Sequence, residues 1–223
     1  MLDIFDILGP VMIGPSSSHT AGAARIGFIA RALLGTPPVK AAIHLYGSFA
    51  ETGAGHGTDR ALVGGLLGMK PDDERLPFAF DEAKKAGLTY TIDEIELRDA
   101  HPNTAVIEAW SADGKDLVMQ ASSLGGGRIM VVEMNGLRAN FSGDLPTLIV
   151  QNIDQPGHVN EVTGMLTKRG INIATMQLYR DHPGGNAVMI IETDKAVPSD
   201  GLAWLERCEG ITRVTFIDAE REE

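Results

Sequence analysis

Apolar residues recur along this chain with two different rhythms, and the rhythm changes near Pro146. Over residues 20–34 they return every three to four positions, which predicts a helix ended by Gly35 and the Pro37-Pro38 pair. Residues 39–47 form an apolar run of strand length. Thr58–Met69 then reads as a helix, with Thr58 as its cap and Asp59 in its first turn. Asp81–Ala86 predicts a short helix stopped by Gly87. Tyr90–Leu97, Thr104–Ser111, Leu117–Ser123 and Ile129–Met134 alternate or run apolar like strands, with Asp113-Gly114 as a hairpin turn between two of them. Asn135–Leu145, which holds Gly136, Gly143 and Asp144 ahead of Pro146, has the composition of a linker.

Beyond Pro146 the pattern predicts, in order, a strand Thr147–Ile153, a helix Gly157–Arg169 followed by Gly170, and strands Ile173–Arg180 and Ala187–Thr193. A helix Gly201–Arg207 and a strand Ile211–Ile217 complete the series. The order β-α-β-β-α-β is that of a ferredoxin-like unit. The expected fold is therefore a mixed α/β first domain, residues 1–140, followed by a βαββαβ second domain, residues 146–223.

Composition narrows the classes. The 223 residues carry 19 basic and 30 acidic side chains, a net charge of -11, which lacks the basic footprint of a nucleic-acid or membrane-surface protein. The hydrophobic content of 43% is enough for packed cores. No apolar run reaches the ~18–20 residues that span a bilayer, and no basic segment precedes an apolar block, so a soluble, cytoplasmic protein is expected. Cys208 is the single cysteine, so neither an internal disulfide nor the thiolates of an iron–sulfur cluster can come from this chain.

Four segments carry candidate chemistry. Gly14-Pro15-Ser16-Ser17-Ser18-His19-Thr20 places hydroxyls and an imidazole just before a helix, whose unpaired first amides and dipole favour an anion. Three serines exceed what one cap requires, although a serine-rich loop with one cap is the plain alternative. Gly53-Ala54-Gly55-His56-Gly57-Thr58-Asp59 reads as a second loop feeding a helix start, with flanking glycines that leave His56 poorly shielded. His101-Pro102-Asn103-Thr104 is an ordinary turn composition between strands. Ser122-Ser123-Leu124-Gly125-Gly126-Gly127-Arg128 lacks the Gly-Lys-Ser/Thr ending of a phosphate loop and is followed by a strand, so a backbone nest or tight hairpin is expected.

In this order and spacing the four segments resemble the iron–sulfur-dependent L-serine dehydratases, and the chain looks like the beta subunit of their two-chain form. The resembling domain also occurs in some phosphoglycerate dehydrogenases, as an anion- or substrate-binding module. Asp154-Gln155-Pro156-Gly157-His158-Val159 and Gly170-Ile171-Asn172-Ile173 resemble the ACT domain, a small regulatory fold that often binds amino acids.

The resemblance implies loss of water from L-serine and release of pyruvate and ammonium. It also implies a [4Fe-4S] cluster acting as a Lewis acid on the substrate hydroxyl. Since this sequence lacks the cysteines, the cluster and the catalytic helical domain are expected on a partner alpha chain, and no metal ligand is expected here. Ser16, Ser17, Ser18 and Thr20 would hold the substrate carboxylate, with Thr58, Asp59, Asn103, Gly125, Gly126 and Gly127 completing the pocket. His19 is the first candidate for the base that removes the α-proton, since imidazole titrates near working pH. His56 is the alternative base, or a bridge between chains with Asp59 orienting it. His44, on an apolar strand, is read as structural, and Cys208 as packing in the last helix.

In the ACT-like domain Pro156, Gly157, His158, Val159, Asn160, Asn172 and Ile173 are expected to form a regulatory ligand site, with subunit pairing into a homodimer as the equal alternative. A non-catalytic amino-acid sensor, like the tail of phosphoglycerate dehydrogenase, is the rival function. A pyridoxal-phosphate dehydratase is disfavoured, because no lysine with a glycine-rich phosphate cup is evident.

Overall fold

The computed structural model describes residues 11–218, so the outer ends of both expected domains lie outside the described residues. The chain divides into two compact units, Met1–Asn135 and Gly136–Glu223.

The first unit lays helices on one face of a sheet. Its strands are β1 (Pro38–Tyr46), β2 (Thr89–Glu94), β3 (Thr104–Ser111), β4 (Asp116–Gly125) and β5 (Arg128–Met134). They run in the order β2-β1-β3-β4-β5. β1 and β2 are parallel, while β1–β3, β3–β4 and β4–β5 are antiparallel. Alternation decides which face is buried. Ala41, Ile43 and Leu45 of β1, Ala105, Ile107 and Ala109 of β3, and Leu117, Met119 and Ala121 of β4 all point into the core.

The helices on that face are α1 (Ala23–Leu34), α2 (Ser48–His56), α3 (Thr58–Leu66) and α4 (Ala79–Ala86). α1 stops at Gly35, whose left-handed backbone returns its N–H to the Arg31 carbonyl at 3.0 Å. α1 and α3 touch backbone to backbone. A Cβ on Gly27 would lie 2.2 Å from the Leu62 carbonyl oxygen, and one on Gly65 would lie 2.1 Å from that of Ala24.

Four expectations need correction here. The helix expected from residue 20 begins as a π-helical turn, Ser17–Gly22, and becomes α-helical only at Ala23. The segment around His56, expected as a loop, is the last turn of α2; tertiary packing overrides the poor propensity of Gly53 and Gly55. Thr58 is the first residue of α3 rather than its cap. Gly57, with φ of 73°, occupies the cap, and the Thr58 hydroxyl is buried without a hydrogen-bond partner. The linker expected at Asn135–Leu145 contains strand β6 (Leu137–Phe141), whose Leu137, Ala139 and Phe141 are buried by strict alternation.

The second unit contains β6 and the expected ferredoxin-like order: β7 (Thr147–Ile153), α5 (His158–Lys168), β8 (Ile173–Arg180), β9 (Asn186–Thr193), α6 (Ser199–Leu205) and β10 (Ile211–Ile217). The antiparallel sheet runs β10-β7-β9-β8. Leu148, Val150, Met189 and Ile191 of the sheet pack with Val162, Met165 and Leu166 of α5 and Leu205 of α6. β6 lies against β8 and β9, where Asn140 accepts a hydrogen bond from Gln177 at 2.9 Å and the Arg138 guanidinium sits over the Tyr179 ring. Cys208 falls just beyond α6, and its thiol donates to the Trp204 carbonyl. No helix among the described residues is long and apolar enough to cross a membrane.

Candidate active site

The four chemical segments of the first unit converge. The π-helical turn starts at Ser16, whose hydroxyl accepts the His19 backbone N–H at 3.1 Å. π-helical turns recur at functional sites, because the wider turn re-aims side chains. Thr20 is buried and donates its hydroxyl to the His56 carbonyl at 3.1 Å, which ties the serine turn to the end of α2. The His19 and His56 rings consequently lie beside each other, with centroids 5.2 Å apart.

The triple glycine closes the site from the sheet side. Gly125, Gly126 and Gly127 all have positive φ, at 89°, 62° and 74°, and form the tight hairpin between β4 and β5. Only glycine takes three such residues in succession without strain. The hairpin amides turn toward the serine turn: Gly126 N–H donates to the Ser17 hydroxyl and Gly127 N–H to the Ser17 carbonyl, both at 3.3 Å. Arg25 of α1 reaches the Gly127 carbonyl at 3.5 Å.

His101-Pro102-Asn103 joins from the same end of the sheet, where the start of β3 pairs with the end of β4. The Asn103 carbonyl accepts from Ser123 N–H at 2.9 Å, and the Pro102 carbonyl from Phe49 N–H at 3.3 Å. Thr104 donates to the His101 carbonyl at 2.6 Å. His101 Nδ1 accepts the Asn103 backbone N–H at 3.1 Å.

Each ring nitrogen has a distinct surrounding. His19 is half-buried, with Nε2 3.1 Å from the Ser48 hydroxyl and Nδ1 3.5 Å from that of Ser16. Phe49 meets the same ring edge-on at 5.4 Å. Burial is the main cause that draws the His19 imidazole below its usual range; the Ser48 backbone opposes this and neighbouring His56 adds to it. His56 is exposed, and its Nδ1 donates to the Thr52 carbonyl at 3.1 Å, so Nε2 is the nitrogen left facing outward.

Among the predicted hydroxyls, Ser16, Ser17 and Thr20 bond within the protein, whereas Ser18 is half-buried and has no side-chain partner among the described residues. Asp59 sits one turn away, its carboxylate accepting Arg60 N–H at 2.8 Å and its charge helping burial to raise the Tyr90 phenol. His44 belongs to the sheet, with Nδ1 2.5 Å from the Asp93 carboxylate and Nε2 3.6 Å from that of Glu108.

Ser48 and Thr52 were missed, yet a signal for their helix existed. Ser48-Phe49-Ala50-Glu51 has the spacing of a capping box, directly after the strand ending at Tyr46. Among the described residues no three His, Cys, Asp or Glu side chains gather as a metal site.

The ACT-type residues separate into two groups. Pro156–Asn160 surround the start of α5, where Gly157 takes φ of 114° and His158 is buried with Nδ1 2.8 Å from Glu161. Asn172 and Ile173 lie past its other end, with Asn172 donating to Asp194 at 2.8 Å. The 11 residues of α5 put about 16 Å between the groups.

Residues 1–86 match the serine dehydratase beta chain family and residues 147–210 the ACT domain. A probable L-serine dehydratase beta chain of Bacillus subtilis (strain 168) is 43% identical, covering 96% of this chain and 97% of that protein. The chain belongs to the serine dehydratase beta chain family. An L-serine dehydratase beta chain of Peptoniphilus asaccharolyticus is 35% identical over the same shares of each chain. A D-3-phosphoglycerate dehydrogenase of Methanocaldococcus jannaschii is 33% identical, but over only 40% of this chain and 17% of that one. The likeness to the two beta-chain relatives spans both units, while the beta chain family match falls in the first and the ACT match fits the ferredoxin-like order of the second.

Proposed function

We propose that this chain is one half of an L-serine dehydratase, forming the wall of an active site that a partner alpha chain completes. The observation that carries the reading is the meeting of two imidazoles, 5.2 Å apart, with the serine turn and the triple-glycine hairpin. Near-full-length similarity to beta chains favours this over a non-catalytic sensor, since the dehydrogenase likenesses are weaker in identity and span only 17–37% of those proteins.

The residues of the chain divide the work. Ser18, the hydroxyl without an internal partner, donates to the L-serine carboxylate, helped by the unpaired amides at the start of the π-helical turn. Ser16, Ser17 and Thr20 hold that turn in shape. The His19–His56 pair receives the α-proton: His19 stays neutral through burial, and His56 presents Nε2 because Thr52 occupies Nδ1. Asn103 and Gly125–Gly127 fix the walls. Thr58 and Asp59 act from α3 behind them.

The residues present do not fit an iron–sulfur cluster. Cys208 is the single thiol, it lies in the second unit, and burial raises its pKa chiefly by desolvation. The [4Fe-4S] cluster of the family is accordingly assigned to the alpha chain. The ACT-type unit is assigned a regulatory ligand at the start of α5, Pro156–Asn160, with Asn172 and Ile173 at the other end of that helix forming a separate patch, or a homodimer contact.

The test is reconstitution under anaerobic conditions. The lone chain is expected to bind no iron and form no pyruvate from L-serine, and to do so only with its cysteine-bearing partner. Stoichiometric iron and pyruvate production by the lone chain would overturn the assignment.

A further inference from the structure

The His19 ring is held by more than its own segment. Its Nε2 lies 3.1 Å from the hydroxyl of Ser48, which is 29 positions further along and on a different helix. Ser48 is the first residue of α2, and its orientation follows from Gly47. That glycine takes φ of 59° and ψ of -127°, a conformation costly for any side-chain-bearing residue. Pro102 also fills the space that a Cβ would need: its carbonyl oxygen would be 2.8 Å away and its Cα 2.9 Å. Phe49 N–H then bonds the same Pro102 carbonyl, and the Phe49 ring meets His19 edge-on. Thr52, one turn on, donates to the Ser48 carbonyl at 2.8 Å while its own carbonyl holds His56.

We propose that Ser48 is a positioning residue for His19, presented by the Gly47–Pro102 contact, so that Pro102 acts on the reaction by fixing an imidazole. The proposal rests on the lyase reading of the site. The arrangement accounts for three features at once: a turn only glycine can make, a proline packed where a side chain would be, and a hydroxyl delivered to Nε2. It also makes the His19 and His56 orientations depend on one short helix, because Ser48 and Thr52 sit four residues apart on one face of α2.

Two readouts test it separately from the lyase reading. In the full chain labelled at histidine nitrogen, Ser48→Ala should change the His19 Nε2 resonance and its titration, because the hydroxyl 3.1 Å from that nitrogen is lost. Ser48→Thr should restore both. In the assembled enzyme Ser48→Ala should lower kcat roughly tenfold with little change in KM for L-serine, the scale of one lost hydrogen bond; Ser48→Thr should recover most of the rate.

Unchanged His19 resonances in Ser48→Ala would overturn the positioning role whatever the reaction is. A raised KM with unchanged kcat would also overturn it, since that outcome makes Ser48 a substrate ligand. If Ser48→Ala fails to fold, Ser48→Cys with the same measurements replaces it. A His19 signal that changes in Ser48→Ala, together with a wild-type complex that does not deaminate L-serine, would keep the contact and refute the lyase reading.

Discussion

Replacing Gly65 by alanine tests whether the helix crossing under the serine turn is as tight as the structure has it. The new Cβ would lie 2.1 Å from the Ala24 carbonyl oxygen, 2.6 Å from Phe28 N and 2.8 Å from Gly27 Cα. All three are backbone atoms, so no rotamer change relieves the overlap and α1 must move away from α3. Overpacking of this sort costs about 1–3 kcal/mol, and the rigid neighbours place Gly65→Ala at the upper end. Alanine recovers only about 0.5–1 kcal/mol of helix propensity. A net loss of about 2 kcal/mol is expected.

Fluorescence can read this loss unit by unit, because the two tryptophans, Trp110 and Trp204, fall in different units. In a Trp204→Phe background, urea unfolding followed by Trp110 should show a lower midpoint with an unchanged slope. Gly164→Ala is the contrast. That glycine lies inside α5 with nothing within 4 Å of a Cβ, so the same substitution should stabilise the second unit by about 0.5–1 kcal/mol. If Gly65→Ala were as stable as its parent, the backbone contact between α1 and α3 would be wrong. The serine turn, continuous with α1, would then have another support.

His19→Asn and His56→Ala should each leave folding and partner association intact while lowering kcat by about 10²–10⁴-fold, as removal of a general base does; steady-state kinetics on assembled complexes decide which carries the larger share. Ser18→Ala should raise KM for L-serine about tenfold or more, whereas Ser17→Ala should act through the hairpin and lower thermal stability; equal KM effects would refute this division. Burial draws the His19 pKa below the ordinary imidazole value of 6.5. The acidic limb of kcat/KM should therefore lie under that value, and activity should fall as pH drops through it; a limb above 7 would contradict the assignment.

From Pro146 onward the second unit was legible in the sequence because each element there has its own stop signal, such as Gly170 after α5 and the Pro183–Asn186 turn between β8 and β9. By contrast β6, set among Gly136, Gly143 and Asp144, read as a linker. The first unit was harder. α2 contains Gly53 and Gly55, residues that oppose a helix locally, and only its packing against β1 and the serine turn makes it one. With α2 read as a loop, Ser48 and Thr52 went unseen, although the histidines they hold were evident. The π-helical turn left no signal in the hydrophobic spacing, because the wider turn alters the backbone bonds of Ser16–Gly22 rather than the apolar pattern. Thr58 looked like a cap by residue type; the left-handed Gly57 beside it took that place instead.

The β6 strand has a consequence for how this protein can be divided. The recognisable ACT segment begins at residue 147, but the compact unit begins at Gly136 and includes three buried side chains of β6. The transferable piece is therefore longer than the recognisable one. A fusion or excision made at Pro146 would carry away the sheet and both its helices while leaving behind the strand that shields β8 and β9, exposing apolar surface on an antiparallel sheet. A break at residues 135–136 keeps β6 beside β8 and β9.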